Sequence, residues 1–294
     1  MRITSALVVG LLAGATVLVG CGKSEQDRVL IQNKGSDTLV NVAQAWAEAY
    51  QKVNPKVAIA VTGGGSGTGI AALINGTVDI ANASRAMKPK EIEAAKARGQ
   101  NPVQHIVGYD ALAVFVHKDN PVKSLSFQQL AGIYGEGGKI DKWTDLGIEV
   151  PGCQDQKIVR VSRQNNSGTY VYFRDTVLGK NRDYKLGSRD MNGSKEVVDL
   201  VEHTPCAIGY SGLAYATPNV KMVCVSKDDN TPCVEPSEAT ASDHSYPIAR
   251  PLFMYTNGEP SGAIKDYLDW ILSDAGQCII KKKGYAPVHP VQCS

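Results

Sequence analysis

The chain has no marked excess of charge of either sign. Its 294 residues carry 31 Lys and Arg against 29 Asp and Glu, which leaves a formal net charge of +2. The sequence contains no basic stripe or run of the kind by which nucleic-acid-binding proteins are recognised. Any electrostatic recognition must therefore act locally, inside a site. A content of 43% hydrophobic and 20% charged residues is typical of a globular protein rather than a disordered or fibrous one.

The sequence also lacks the common motifs of metal-dependent and nucleophilic catalysis. Its five histidines have no HxH or HExxH neighbour, and no GxSxG motif surrounds Ser167. The glycine-rich stretch at residues 63–69 is without the Lys-Ser/Thr pair of a P-loop. Catalysis needs a metal pair, or a nucleophile with an organised base. We therefore expect no enzyme activity, no metal and no cofactor.

The N-terminus has the pattern of a secretory leader. Arg2 provides a positive start, residues 3–19 are nearly all apolar or small, and polar residues follow Cys21. Leu18-Val19-Gly20-Cys21 resembles a bacterial lipobox, in which the cysteine is lipidated and becomes the first mature residue. An uncleaved membrane anchor is the alternative, because the apolar run is only just short of a spanning length. We predict a signal peptide at residues 1–20 and a lipidated tether at residues 21–28.

This leader places the rest of the chain outside the cytoplasm. We expect a lipoprotein anchored to a membrane in the periplasm, or on the cell surface if the cell has a single membrane. The cysteines agree, because an even number remains after Cys21 is set aside, as expected in an oxidising compartment.

The pairing of these cysteines is left open by the sequence. Short loops favour Cys224–Cys233 and Cys278–Cys293, which leaves Cys153 with Cys206. A zinc site is the alternative interpretation of such a group. No CxxC pair or nearby histidine supports it, so structural disulfides are predicted.

Short β-branched runs alternate with helical stretches from residue 29 onward. This alternation predicts an α/β fold with largely parallel sheets. Strands are predicted at residues 29–32, 57–62, 78–80, 158–162, 208–210 and 222–225, with two further runs within residues 103–116. Helices are predicted at residues 39–53, 70–75, 89–98, 126–134, 169–178 and 264–274.

A chain of this length is close to the practical limit of a single core, so two lobes are expected. No internal repeat or low-complexity linker separates them. The chain is therefore predicted to cross between lobes at strand-like segments such as residues 112–116 and 248–253. We predict one lobe from residues 29–112 plus 249–294 and a second from residues 113–248.

Four loops share one composition, with small residues, hydroxyls and glycines where a strand gives way to a helix. Any one of them is typical of a helix N-cap or a turn. Together they suit a tetrahedral oxyanion, because helix starts leave backbone N–H groups unpaired and glycine lets the backbone approach closely. Hydroxyls add donors, and a guanidinium can contact two oxygens. The loops are residues 35–39, 63–69, 82–85 and 163–169.

In order and spacing these loops resemble the signatures of the phosphate-binding proteins of bacterial phosphate ABC importers. The matching segments are GSDTL at 35–39, GGSGTG at 64–69, DIANASR at 79–85 and RQNNSGT at 163–169. The similarity runs from about residue 29 to the C-terminus. It implies a two-lobed periplasmic-binding-protein fold of type II, with mixed sheets flanked by helices and a cleft between the lobes. It also implies a monomer that binds inorganic phosphate and delivers it to a membrane permease and its ATPase.

The resemblance further implies which residues contact the anion. It assigns the pairing arginine to Arg163, hydroxyl and backbone donation to Thr38, and a backbone N–H to Leu39. The full set of candidate phosphate-binding residues is Ser36, Thr38, Leu39, Ser66, Ser84, Arg85, Arg163, Asn165, Ser167, Gly168 and Thr169.

Two positions depart from the best-known pattern of that family. Arg85 and Asn165 each stand where the pattern has an aspartate. A carboxylate in the third loop would accept a hydrogen bond from a protonated phosphate oxygen and repel fully ionised sulfate. Asp37 or Asp110 could supply this acceptor from another direction, or Arg85 could add a second positive contact that favours the phosphate dianion.

Other functions compatible with these loops remain open. One is a secreted phosphatase acting on phosphate esters, which a turnover assay on a chromogenic ester would reveal. Another is a binder of sulfate, molybdate or arsenate. A third is a cell-surface phosphate sensor or scavenger without a transporter, which gene neighbourhood would distinguish.

Arg163→Ala is expected to lose most of the phosphate affinity. The substitution removes the charge-assisted hydrogen bonds of the guanidinium, and we expect the donors of the two lobes to meet around the anion when the hinge closes. Isothermal titration calorimetry on the soluble chain from Ser24 measures this loss. Unchanged binding in the variant would show that the site is wrongly assigned.

Overall fold

The computed structural model describes residues 28–293, in which strands and helices alternate. The strands are β1 (Val29–Gly35), β2 (Val57–Thr62), β3 (Ile80–Ala83), β4 (Pro102–His117), β5 (Ser124–Ser126), β6 (Val159–Arg163), β7 (Arg189–Met191), β8 (Ala207–Gly212), β9 (Val220–Ser226) and β10 (Ala249–Asn257). The helices are α1 (Val40–Val53), α2 (Ser66–Ile74), α3 (Pro89–Ala97), α4 (Phe127–Tyr134), α5 (Gly168–Phe173), α6 (Ser194–Glu202), α7 (Glu238–Ser242), α8 (Gly262–Leu272) and α9 (Asp274–Lys282). Shorter helical turns occur at Trp143–Leu146, Arg174–Leu178 and Leu213–Tyr215.

The predicted leader and the lipidation site at Cys21 lie outside the described residues, as does most of the predicted tether. Within residues 28–293, no helix has both the length and the apolar character that a membrane crossing requires. The signal peptide, the lipid and the tether therefore stay predictions.

The hydrophobic spacing that predicted the first helix corresponds to its buried face. Val42, Ala43, Trp46 and Tyr50 of α1 are all buried, and they share one face because a helix turns once in about 3.6 residues. Trp46 also donates its indole N–H to the carbonyl of Gly276 at 2.8 Å. This hydrogen bond connects α1 to α9, which lies near the C-terminal end of the sequence.

Strand β4 is a single 16-residue strand that takes part in two sheets. Its first part, up to Ala111, pairs with β10, and its second part, from Leu112, pairs with β8 and β9. The order along the sheet is β2-β1-β3-β10-β4-β8-β6-β7. The predicted parallel pairing holds toward the two ends of this order, whereas β10 and β4 are antiparallel to their neighbours. The central strand pairs are antiparallel because β10 runs opposite to both β3 and β4, and β4 runs opposite to β8.

Each half of the molecule has its own hydrophobic core. Clusters that contain Trp46 and Ile70 pack around β1, β3 and β10. Clusters that contain Trp143 and Phe115 pack around β4, β6 and β8. The predicted lobe boundaries after residues 112 and 248 fall inside β4 and at the start of β10, and they stay a prediction.

Three disulfide bonds join the cysteines of the described chain. They are Cys224–Cys233 and Cys278–Cys293, the two pairs that short loops favoured, and Cys153–Cys206, the pair that remained. Cys153 and Cys206 also lie near Asp155, within reach of a common metal ion. Their sulfurs are bonded to each other, so they do not act as thiolate ligands.

Removing the Cys153–Cys206 bond is expected to cost more stability than removing Cys224–Cys233. The first spans 53 residues and the second spans 9. Loop-closure entropy gives losses of about 4 and about 2.5 kcal/mol respectively. Urea unfolding of the two double alanine variants, followed by circular dichroism, measures both values. Equal losses would contradict the prediction.

Candidate anion-binding site

The four hydroxyl-rich loops lie at the carboxyl ends of strands. Residues 35–39, 63–69 and 82–85 lie where β1, β2 and β3 end, and these strands run parallel. Residues 163–169 lie at the end of β6 in the other half of the molecule. In α/β folds, ligands bind in the crevice outside the carboxyl ends of the strands. The loops are therefore placed where such a fold holds its ligand.

Three serines from the first half form a buried cluster. Ser36 Oγ donates to Ser84 Oγ at 2.9 Å, and the backbone N–H of Ser84 donates to Ser66 Oγ at 3.0 Å. Gly168 of the fourth loop lies directly against them. A Cβ atom at position 168 would lie 2.2 Å from Ser66 Oγ and 2.6 Å from Ser84 Oγ. Only glycine allows the fourth loop to approach the serines this closely.

Two threonines bring hydroxyls of opposite halves into contact. The Oγ1 atoms of Thr38 and Thr169 are 3.1 Å apart, and both side chains are buried. Ser167 is the N-cap of α5, and its Oγ accepts from the backbone N–H groups of Thr169 and Tyr170. The backbone N–H of Leu39, a predicted anion donor, donates to the carbonyl of Ser36 at 3.0 Å. The centre of the site thus consists of neutral hydroxyls.

Helix α2 begins at Ser66, four residues before the start that the sequence pattern predicted at residue 70. Glycines weaken the helical signal because they lower intrinsic helix propensity. In this segment, tertiary packing outweighs the low helix propensity of the glycines. A Cβ atom on Gly69 would lie 2.4 Å from the carbonyl oxygen of Lys34, so this first turn packs closely on β1. The positive end of the α2 dipole is consequently located at the serine cluster.

Arg163 is fully buried and is held by several acceptors. Its Nη2 donates to Asp37 Oδ2 at 2.8 Å and to the carbonyl of Asn192 at 2.7 Å. Its Nη1 donates to Ser194 Oγ at 3.1 Å, and its Nε donates to the carbonyl of Met191 at 3.3 Å. Burial lowers the pKa of Arg163, and the carboxylate of Asp37 opposes this effect. The guanidinium stays charged and is fixed in orientation.

A second buried arginine, Arg250, lies in β10, outside the four loops that the sequence indicates. Its Nε and Nη2 donate to Asp110 Oδ2 at 3.0 and 2.7 Å, and neither side chain is exposed. Arg250 also reaches Thr38 Oγ1 and the carbonyl of Ser84, both at 3.3 Å. Asp110 and Arg250 are cross-strand partners in β4 and β10. The only local signal was a charged residue within each of two largely apolar strands.

The two carboxylate oxygens of Asp110 differ in their hydrogen bonding. Its Oδ2 accepts from Arg250, whereas its Oδ1 is buried and has no hydrogen-bond partner of ordinary geometry among the described residues. Burial raises the pKa of Asp110, and Arg250 and the backbone N–H of Leu213 oppose this rise. The carboxylate lies near the Cγ2 methyl of Thr38, since both would touch a Cβ atom on Gly212, and Arg250 Nη2 donates both to Asp110 Oδ2 and to Thr38 Oγ1.

Comparison with known proteins finds relatives that match most of the chain. Residues 22–275 match the PBP superfamily domain. The chain is 37% identical over 270 residues to the phosphate-binding protein PstS of Pseudomonas aeruginosa, covering 88% of this chain and 83% of the relative. It is 32% identical over 299 residues to PstS of Bacillus subtilis, covering 96% and 94%. The chain belongs to the PstS family.

Solved structures agree with the fold of this PstS-family chain. A protein from Clostridium perfringens, assigned to phosphate ABC transport and crystallised with bound phosphate, matches with a TM-score of 0.78. It is 32% identical, and the match covers 88% of this chain and 100% of that one. An ABC-type phosphate transport receptor from Vibrio cholerae gives a TM-score of 0.69 at 28% identity, with 88% and 100% covered. The predicted family and the predicted two-lobed fold are confirmed.

Two of the residues predicted to bind phosphate, Arg85 and Asn165, do not contribute their side chains to the hydroxyl cluster of this PstS-family chain. The Nη1 and Nη2 atoms of Arg85 donate to Glu91 at 2.8 and 2.7 Å, and Nη1 also donates to the carbonyl of Ala86 at 2.9 Å. The side chain of Asn165 is exposed. The guanidinium fork of Arg85 is thus occupied by a carboxylate of α3, and the geometry does not support a second positive contact there.

Glu91→Gln is expected to remove a pH-dependent part of the stability. Burial opposes the charge on Glu91, but hydrogen bonds from Arg85 and from the backbone of Lys88 outweigh it and lower the pKa of Glu91. Such a group stabilises the fold above its unfolded-state pKa of about 4.3. The contribution is lost as the pH falls through the lower folded-state pKa.

The free energy of unfolding, measured by urea titration between about pH 3 and pH 7, should therefore fall less steeply with acid in the Glu91→Gln variant than in the parent. Glu93→Gln changes an exposed residue of the same helix and is the matched control. The same pH slope in both variants would contradict the expected role of Glu91.

Proposed function

We propose that this chain captures inorganic phosphate between its two lobes and delivers it to an ABC importer. The observation that carries the proposal is the contact between the two halves, in which Thr38 meets Thr169, Ser66 meets Gly168 and Asp37 meets Arg163. The names of the PstS relatives, and the phosphate bound to the Clostridium perfringens protein, support the choice of anion.

Neutral donors and one oriented cation suit a ligand that must later leave. Four of the five N–H groups of Arg163 donate to acceptors within the described chain, which leaves one on Nη1 for the anion. The serine and threonine hydroxyls can rotate to donate to phosphate oxygens. The affinity then comes from many modest hydrogen bonds rather than from an excess of fixed charge.

We propose that Asp110 supplies the acceptor for the protonated phosphate oxygen. Both oxygens of Asp37 are engaged, Oδ1 by the backbone N–H of Gly64 and Oδ2 by Arg163, each at 2.8 Å. Asp110 Oδ1, by contrast, has no hydrogen-bond partner of ordinary geometry among the described residues, and it lies near the methyl group of Thr38, a candidate phosphate donor. A buried carboxylate gains a strong hydrogen bond from a P–OH group. It repels the oxygens of sulfate, which has no proton to donate.

The two lobes of the proposed mechanism are residues 29–112 plus 249–294 and residues 113–248. β4 and β10 carry the chain between them, and the Asp110–Arg250 pair joins these strands near the crossing. A hinge at this place would let the lobes open and close around the anion.

The remaining parts of the proposal concern the cellular setting. We propose that Cys21 carries a lipid that anchors the monomer outside the cytoplasm, where it meets the permease and ATPase of the importer. Nucleic acid is not a partner, and no cofactor is required. The PstS relatives are binding proteins by name, and we propose that this chain likewise has no catalytic activity. Turnover of a chromogenic phosphate ester would overturn that point.

Titration of the soluble chain from Ser24 with phosphate, sulfate and arsenate is the direct test of ligand choice. Phosphate should bind roughly five- to 150-fold more tightly than sulfate, because an unpaired buried acceptor costs about 1–3 kcal/mol. Asp110→Asn should lose most of this preference, since the amide can donate to either anion. Calorimetry gives the affinities, and thermal unfolding confirms that the variant is folded.

Asp37→Asn is the matched control for Asp110→Asn. It removes the other carboxylate that pairs with a buried arginine, and it should weaken phosphate and sulfate to a similar degree. Sulfate binding as tight as phosphate binding in the parent would overturn the ligand assignment. A selectivity lost in Asp37→Asn and kept in Asp110→Asn would place the acceptor at Asp37 instead.

A further inference from the structure

Asn166 connects the two halves of the molecule through groups that are not assigned to the anion. Its side-chain Nδ2 donates to the carbonyl of Gly64 at 3.0 Å and to Thr68 Oγ1 at 3.3 Å. Its own backbone carbonyl accepts from the N–H of Gly67 at 2.9 Å. Three hydrogen bonds thus join the loop before α5 to the glycine-rich loop and first turn of α2.

The glycine-rich loop is shaped to admit this residue. A Cβ atom on Gly65 would lie 2.8 Å from the backbone oxygen of Asn166, and one on Gly67 would lie 3.1 Å from it. Gly65 also has a φ of +89°, which residues with a side chain rarely adopt. Two glycines of the run that first indicated an oxyanion site therefore serve the approach of Asn166.

Among the other contacts across the cleft, Tyr215 Oη donates to the backbone carbonyl of Asp37 at 2.6 Å, and two further contacts involve candidate phosphate-binding side chains. Thr38 meets Thr169, and Arg163 meets Asp37. Phosphate would compete with these contacts or rearrange them. The partners of Asn166 lie outside the set of candidate phosphate-binding residues, so its hydrogen bonds and a bound phosphate can exist together.

We propose that Asn166 is a latch that favours the closed arrangement of the lobes through its own hydrogen bonds. It would set phosphate affinity by changing the population of closed molecules and not by touching the ligand. This inference rests on the proposed function and on the proposed lobes. When only a fraction of molecules is competent to bind, the apparent dissociation constant rises in inverse proportion to that fraction.

The test compares the soluble chain from Ser24 with its Asn166→Ala variant. The variant removes both side-chain hydrogen bonds and keeps the backbone carbonyl. We expect roughly a five- to thirtyfold higher phosphate dissociation constant, seen mainly as faster release in stopped-flow measurements. In phosphate-free solution, small-angle X-ray scattering should give a larger radius of gyration for the variant. The two proteins should converge at saturating phosphate, with unchanged stoichiometry.

Two further variants make the result specific. Gln164→Ala alters an exposed side chain of the same loop and should match the parent in affinity and in radius. Thr68→Val removes one acceptor of the latch. Its effect should therefore be less than additive with that of Asn166→Ala.

The outcomes separate the latch from the function on which it rests. A phosphate-free Asn166→Ala protein with the parent radius would overturn the latch, whatever its affinity, and weaker binding would then indicate direct contact with phosphate. Failure of the parent to bind phosphate would overturn the proposed function, while the scattering comparison would still decide whether Asn166 favours closure.

Discussion

A buried ion pair between Asp110 and Arg250 joins the two strands that carry the chain across the molecule. Neither side chain is exposed to solvent, and the two residues are direct partners in the β4–β10 register. Burial of a charge is costly unless the charge is paired and hydrogen-bonded, so a shift of register would leave both groups unpaired. Arg250 also contacts Thr38 and the carbonyl of Ser84, and it lies over the ring of Tyr172, with 5.7 Å to the ring centroid. The position of the hydroxyl cluster is therefore tied to this pair.

Around this pair, the site is built from neutral donors that are brought unusually close. The contact of Gly168 with Ser66 and Ser84 leaves no room for a side chain on the fourth loop. The charge of Arg163 is already balanced by Asp37, as that of Arg250 is by Asp110. A site with paired charges and rotatable hydroxyls can bind an oxyanion through many modest hydrogen bonds. Such a design favours reversible capture over permanent retention.

Much of the fold and part of the site follow from local patterns in the sequence. The buried face of α1 and the strand at residues 57–62 agree with hydrophobic spacing, and the disulfides Cys224–Cys233 and Cys278–Cys293 agree with loop length. The loops that contain Ser36, Ser66 and Thr169 are predicted as donors because hydroxyls and glycines at strand ends have a local chemical meaning, and the structure places these loops at the ends of β1, β2 and β6. The start of α2 was placed too late, because the packing of Gly69 on β1 is a tertiary effect that outweighs glycine's poor helix propensity.

The sequence by itself determined which loops carry donors, because capping, turn and strand-end chemistry depend on neighbouring residues. Only the tertiary structure decided which charges belong to the site. Arg85 lies in a site motif but is held by Glu91, whereas Arg250 lies in no motif and contacts Thr38. Asn166 likewise finds its side-chain hydrogen-bond partners in a loop about 100 residues away in the chain. Long polar side chains choose partners by proximity in space, and strand register and lobe packing set that proximity.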